Sequence, residues 1–165
     1  EDIQKPELFV EELKEGRKHR GLIVVQADNK KARKHVEKAE RNLKVTLYLK
    51  EGGYTDWCSS TLFYSIYHCC LSILAKFGYE SRNQECTFAL IRSLIEDNRI
   101  DLKIEEIDKI SLLDVEEKHQ SPTAVNIREE FQYTTKLSLE DNVLNELIEL
   151  AKIILEKTKV IIEYA

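Results

Sequence analysis

The run Asp56–Glu80, DWCSSTLFYSIYHCCLSILAKFGYE, constrains the fold more than any other part of the chain. Its apolar residues fall into two sets. One is Phe63, Ile66, Cys70, Ile73 and Phe77; the other is Trp57, Tyr64, Tyr67, Leu71 and Leu74. Both sets step by three and four residues, as a 3.6-residue helix requires. A helix that is apolar on two faces needs neighbours on both. The expected fold class is therefore all-α: an antiparallel, up-and-down bundle of about five to six helices, with this segment at its centre.

The 165 residues suffice for one domain with a substantial core. Five Gly and two Pro are too few for the many turns of a sandwich or barrel. A net charge of −5 argues against a generally basic nucleic-acid coat, but not against a local basic site. Cys58, Cys69, Cys70 and Cys86 form no C-x-x-C pair, and no His pair sits at zinc spacing. They read as reduced core cysteines of a cytoplasmic protein, with no metal or cofactor expected. No signal-peptide pattern is visible, and no run of about 18 uncharged apolar residues is expected to span a bilayer. Methionine is absent even at position 1, so the native start is expected upstream.

Residues 1–28 read as an N-terminal extension and 29–165 as the bundle. Pro6 suits the first turn of a short helix reaching about Lys14. Gly21–Gln26, GLIVVQ, looks β-like but has no evident partner, which suggests a single extended arm. Asp28 or Asn29 can cap a helix to about Lys50, with the stripe Ala32, Val36, Ala39, Leu43, Leu47 and a stop at Gly52-Gly53. Thr55 or Asp56 is the expected cap of the central helix, which should stop at Gly78. Ser81 or Asn83 then caps a helix carrying Phe88, Ile91, Leu94 and Ile95. A charged, weakly helical piece covers Asp101–Leu113. Ser121-Pro122 opens a helix to about Tyr133. Ser138, with Asp141 three residues on, caps the last helix, whose stripe is Leu144, Leu147, Ala151, Ile154 and Ile161.

Two features carry possible chemistry. Tyr64, Tyr67 and His68 share one side of the central helix in this reading, which would let His68 serve as an acid or base. The bland alternative is a packing histidine with one hydrogen bond. The second feature is the segment from Asp28 to Lys50, where eight Lys/Arg face three acids. Lys34, Lys38 and Arg41 lie along one helix face. Positive charge crowded at a helix N-terminus opposes the macrodipole, and a bound anion would relieve it. An RNA backbone is one such anion; a solvated face paired with acids is the alternative. The acidic run Asp101–Glu117 implies no fixed geometry for a divalent ion.

The order of these pieces resembles the HEPN superfamily over about residues 29–163. The carriers are ARKHVEKAERNLKVTLYL, then LFYSIYHCCLSILAKFGYE, similar to the family's Y-x-x-Y-x-A-x-x-x-L-x-x-x-G helix, and REEFQY, similar to its R-x-x-A-D-Y segment before a long last helix. The resemblance implies a bundle that usually dimerises and is often an RNase or a toxin component beside a nucleotidyltransferase-like partner. Active members carry Arg, four to six residues, then His. Histidine suits proton abstraction from a ribose hydroxyl, and Arg holds the charge gathering on phosphorus.

Here that pattern is broken. Arg82 is followed by Thr87, and Arg128 by Tyr133, where His would stand. A tyrosine with a pKa near 10 is about one part in a thousand ionised at pH 7 and is a poor base. The resemblance thus implies an RNA- or nucleotide-binding module without the usual RNase pair, with Arg128, Arg82, Lys34, Lys38 and Arg41 as ligand-binding candidates. The expected partners are RNA or a nucleotide, a nucleotidyltransferase-type protein and a second copy of the chain, with no membrane. The alternatives are a divergent metal-independent RNase built on Arg128, Tyr133 and His68, and a non-enzymatic dimeric adaptor.

Overall fold

A computed structural model describes residues 6–14, 21–111 and 140–164. Its elements run α1 (Pro6–Lys14), β1 (Leu22–Val24), α2 (Asn29–Glu51), a 3-10 turn (Thr55–Trp57), α3 (Cys58–Phe77), β2 (Tyr79–Ser81), α4 (Gln84–Glu96), α5 (Ile104–Ser111) and α6 (Asp141–Tyr164). The all-α bundle is as expected. Helix α3 is its axis: α2 and α6 pack against it and against each other, and α4 packs on it with α1 behind. Arg128, Tyr133, the Ser121-Pro122 helix and Ser138 lie outside the described residues.

The helix boundaries follow from local chemistry. Asp28 Oδ1 accepts from the Lys31 amide at 2.9 Å and caps α2. Asn83 Oδ1 accepts from the Cys86 amide at 2.7 Å and caps α4, each satisfying a donor that the first turn leaves free. Gly78 ends α3 with a left-handed φ of 80°. A Cβ there would meet the Val25 carbonyl oxygen at 2.7 Å. The expected cap of α3 is displaced: the 3-10 turn carries Thr55 and Asp56, and the α-helix proper begins at Cys58.

The single extended arm is corrected. β1 pairs antiparallel with β2, Leu22 opposite Ser81 and Val24 opposite Tyr79. The Val25 and Asp28 amides then donate to the Gly78 and Ala75 carbonyls, both at 2.9 Å. Leu22 is fully buried, and Val10 of α1 joins the same core. The chain thus enters α2 already tied to the end of α3.

The second apolar face of α3 is also corrected. Trp57 and Tyr64 are exposed, while Cys58, Leu62, Ser65, Cys69 and Ser72 are buried in their stead. On α2, Leu47 is partly exposed and Thr46 takes its place in the stripe. The cause is a seam of small residues. Ala32, Ala39 and Thr46 recur every seven residues on α2, and Cys58, Ser65 and Ser72 do so on α3. Ser65 Oγ donates to the Ala39 carbonyl at 2.8 Å and Ser72 Oγ to the Ala32 carbonyl at 2.7 Å. Cys58 Sγ lies 3.6 Å from the Thr46 carbonyl. Hydroxyls that reach across to the neighbouring backbone need the two helices close together, and small side chains allow that approach.

By length and hydropathy alone, Thr55–Phe77 is apolar enough to cross a bilayer, which the sequence reading did not anticipate. Its apolar window is 72 % buried inside the fold, as befits a core helix.

Candidate functional site

The seam between α2 and α3 has two sides. α6 covers one: Lys159 Nζ reaches Glu40 Oε1 of α2 at 2.7 Å. On the other side, three residues past Ala32 and three past Ser65, stand His35 and His68. Their Nδ1 atoms are 3.0 Å apart and their rings stack at 5.3 Å between centroids. Such a contact requires one Nδ1 to carry the proton and the other to accept, so the two neutral rings hold opposite tautomers. Two to three turns along, the hydroxyls of Thr46 and Thr61 meet at 2.6 Å.

Both imidazoles are pushed toward the neutral form. Burial lowers His35 to about 4, helped by the charge His68 can carry and by Lys31. Burial also lowers His68, helped by Lys38. At neutral pH the pair is an uncharged hydrogen-bonding unit between two cations. Its depressed basicity makes His68 a weaker proton acceptor than a free histidine.

Lys31, Lys34, Lys38 and Arg41 are all exposed. Among the described residues, none of the four makes an ion pair with an acid. The first turn of α2 holds no acidic side chain. The bland expectation of a charge face neutralised by neighbouring acids therefore finds no such pairs there. The helix dipole and these side chains together make the N-terminal half of α2 an electropositive ridge.

The remaining expected residues fall elsewhere. Tyr67 does not share a side with His68. It stacks on Phe63 at 5.7 Å and meets the Phe88 ring edge-on at 5.9 Å, facing α4. Its hydroxyl approaches Thr87 Oγ1 at 3.3 Å. Thr87 is buried and stands 2.9 Å from Ser81 Oγ and 3.0 Å from the Asn83 carbonyl, so it is engaged at the start of α4. Arg82 is exposed between β2 and α4, its amide donating to the Gly21 carbonyl at 3.0 Å, and no described contact joins it to the α2 ridge. Among the described residues no cluster of three or more potential ligands is placed to hold a metal ion.

His35 and the exposure of Trp57 and Tyr64 were not foreseen from the sequence, and Lys31 was counted in the basic segment without being singled out as a ligand-binding candidate. The matching seven-residue spacing of small residues on both helices was the signal that would have set the antiparallel register and brought His35 to His68.

The described residues thus define a small all-α bundle built round a hydroxyl-laced central hairpin, with a row of exposed cations on α2. The family model of the HEPN domain matches residues 32–161, and the chain belongs to that family. Membership points to a nucleotide- or RNA-related module. No curated protein matches the chain.

Proposed function

We propose that this chain is a HEPN-family RNA- or nucleotide-binding module, and that it grips phosphate through the ridge Lys31, Lys34, Lys38 and Arg41. The observation that carries the reading is the ridge itself: four exposed cations, no acid in the first turn, and no ion pair to them among the described residues. A polyphosphate backbone neutralises such a ridge and releases counterions on doing so. The neutral His35–His68 pair at its edge keeps one ring N–H, the Nε2–H of the accepting ring, to offer an oxygen without adding charge. The reading extends to Arg128 as a further phosphate ligand, to self-association and to a nucleotidyltransferase-type protein partner of the toxin–antitoxin kind. Against a divergent nuclease stands the weakened basicity of His68, which is already committed to His35.

The test is fluorescence anisotropy of a labelled RNA at low and raised salt. Native protein is compared with a Lys34→Ala/Lys38→Ala/Arg41→Ala variant and with Arg128→Ala. The triple variant should lose affinity and flatten the dependence on salt by about one unit of slope for each phosphate contact removed. Equal affinity and equal slope in native and triple variant would remove the ridge from the function.

A further inference from the structure

The aromatic side chains that the core leaves outside are gathered beside the cations. Trp57, at the end of the 3-10 turn, and Tyr64 and Leu71 of α3 recur every seven residues, one position before the seam residues Cys58, Ser65 and Ser72. Lys31, Lys38 and Val45 recur in the same way on α2, one position before Ala32, Ala39 and Thr46. In an antiparallel pair, rows offset from the seam in the same sense lie on the same side. The His35–His68 and Thr46–Thr61 contacts mark that side, and α6 occupies the opposite one.

The side facing away from α6 therefore carries Lys31, Lys38 and Val45 along one bank. Trp57 and Tyr64 lie along the other, and the imidazole pair stands between. Lys34, Arg41 and Tyr48, again seven apart, form the next row outward on α2. Trp57 is 57 % exposed, Tyr48 75 % and Tyr64 44 %, figures at odds with rings serving only as core. From Lys31 to Tyr48 the helix rises about 25 Å, at 1.5 Å per residue.

Cations tracking a backbone beside partly exposed aromatic rings is an arrangement that binds single strands, because unstacked bases need a ring to lie on and a duplex hides them. We propose that this side of the α2–α3 hairpin is a single-stranded RNA track. Phosphates run along Lys31, Lys38 and the outer row, and bases stack on Trp57 and Tyr64. The proposal rests on the RNA-binding reading above and names the form of RNA and the residues that select it.

Trp57 is the sole tryptophan of the chain, so its emission reports directly on stacking. The native protein is titrated with a short oligouridylate and, separately, with a blunt RNA duplex of the same length. Affinities of Trp57→Ala, Trp57→Phe and the Lys34/Lys38/Arg41 triple variant are measured by anisotropy, with circular dichroism confirming that each is folded. Oligouridylate should quench Trp57. Trp57→Ala should bind it about tenfold more weakly, Trp57→Phe should retain most of the affinity, and duplex binding should be weaker and indifferent to position 57.

RNA binding that fails in the triple variant but leaves Trp57 emission and the Trp57→Ala affinity unchanged would overturn the stacking track while the cationic ridge stands. Equal binding of single strand and duplex would also overturn it. No binding of either RNA by native protein would end both readings.

Discussion

The His35–His68 contact makes the stability of this fold depend on pH in a way that can be worked through. A single proton added to the pair leaves one Nδ1–H donating to the other ring's lone pair. A second sets two Nδ1–H groups head to head across 3.0 Å. That second step, opposed by burial, by the charge on His68 and by Lys31, holds His35 at about 4 against an ordinary 6.5. A histidine whose folded value is depressed is stable as the neutral base. Its contribution is complete above the unfolded pKa near 6.5 and is lost as pH falls through the window down to about 4.

The gap corresponds to about 3 kcal/mol at 1.36 kcal/mol per pH unit, and solvent reaching the half-buried ring reduces this to about 1–2 kcal/mol. Urea unfolding at about pH 7.5 and about pH 4.5 measures it, with His35→Gln as the reference that keeps an amide to bond His68 but does not titrate. Native protein should lose about 1–2 kcal/mol more than His35→Gln between those conditions. The same loss in both, after carboxylate effects common to the two have cancelled, would refute the paired-imidazole account.

Gly78→Ala should cost about 2–4 kcal/mol in chemical denaturation, since it adds a side chain at left-handed φ and presses it on the Val25 carbonyl. Ser72→Ala should cost about 1 kcal/mol by losing its bond to the Ala32 carbonyl. Ser72→Val should cost more, about 1–3 kcal/mol, by wedging the seam apart; a thermal-melt series orders the two. Burial pushes the Cys69 thiol up to about 12 and Cys58 to about 11, and raises Cys70 and Cys86 as well. A disulfide exchange reagent at neutral pH should therefore label almost none of the four in native protein and all four in denaturant.

Much of the bundle was legible because its signals are local. Asp28, Asn83 and Gly78 each act on their own helix end, and the stripe of α6 and that of α2 as far as Leu43 follow from periodicity alone. The β-like run that became Leu22–Val24 was legible but its partner was not, because Tyr79–Ser81 has no strand character of its own and is specified by pairing with Leu22–Val24, far away in sequence. Trp57 and Tyr64 were misplaced for a related reason. Aromatic residues at helical spacing read as core, and only the buried Ser65 and Ser72, with hydroxyls satisfied by the carbonyls of α2, show that the face beside them is the inner one. Thr46 displaced Leu47 because its hydroxyl is satisfied by the Asn42 carbonyl and by Thr61. Of the candidate site, Lys34, Lys38 and Arg41 were visible as a charge row. His68 was visible as a residue, but its partner depends on a register that only the folded hairpin sets.

The seven-residue spacing shared by α2 and α3 ties the chemistry of the hairpin to its length. Each row of the open side keeps its bearing only because seam and row advance in step on both helices. One residue inserted in or deleted from the middle of either helix would turn everything beyond it by about 100°. That would swing Lys31 and Lys38 away from Tyr64 while leaving every side chain chemically intact. Within these two helices, evolution can exchange the identities of the cations and rings one at a time. It can lengthen or shorten the pair only by changes that preserve the phase, such as adding a whole heptad to both arms together.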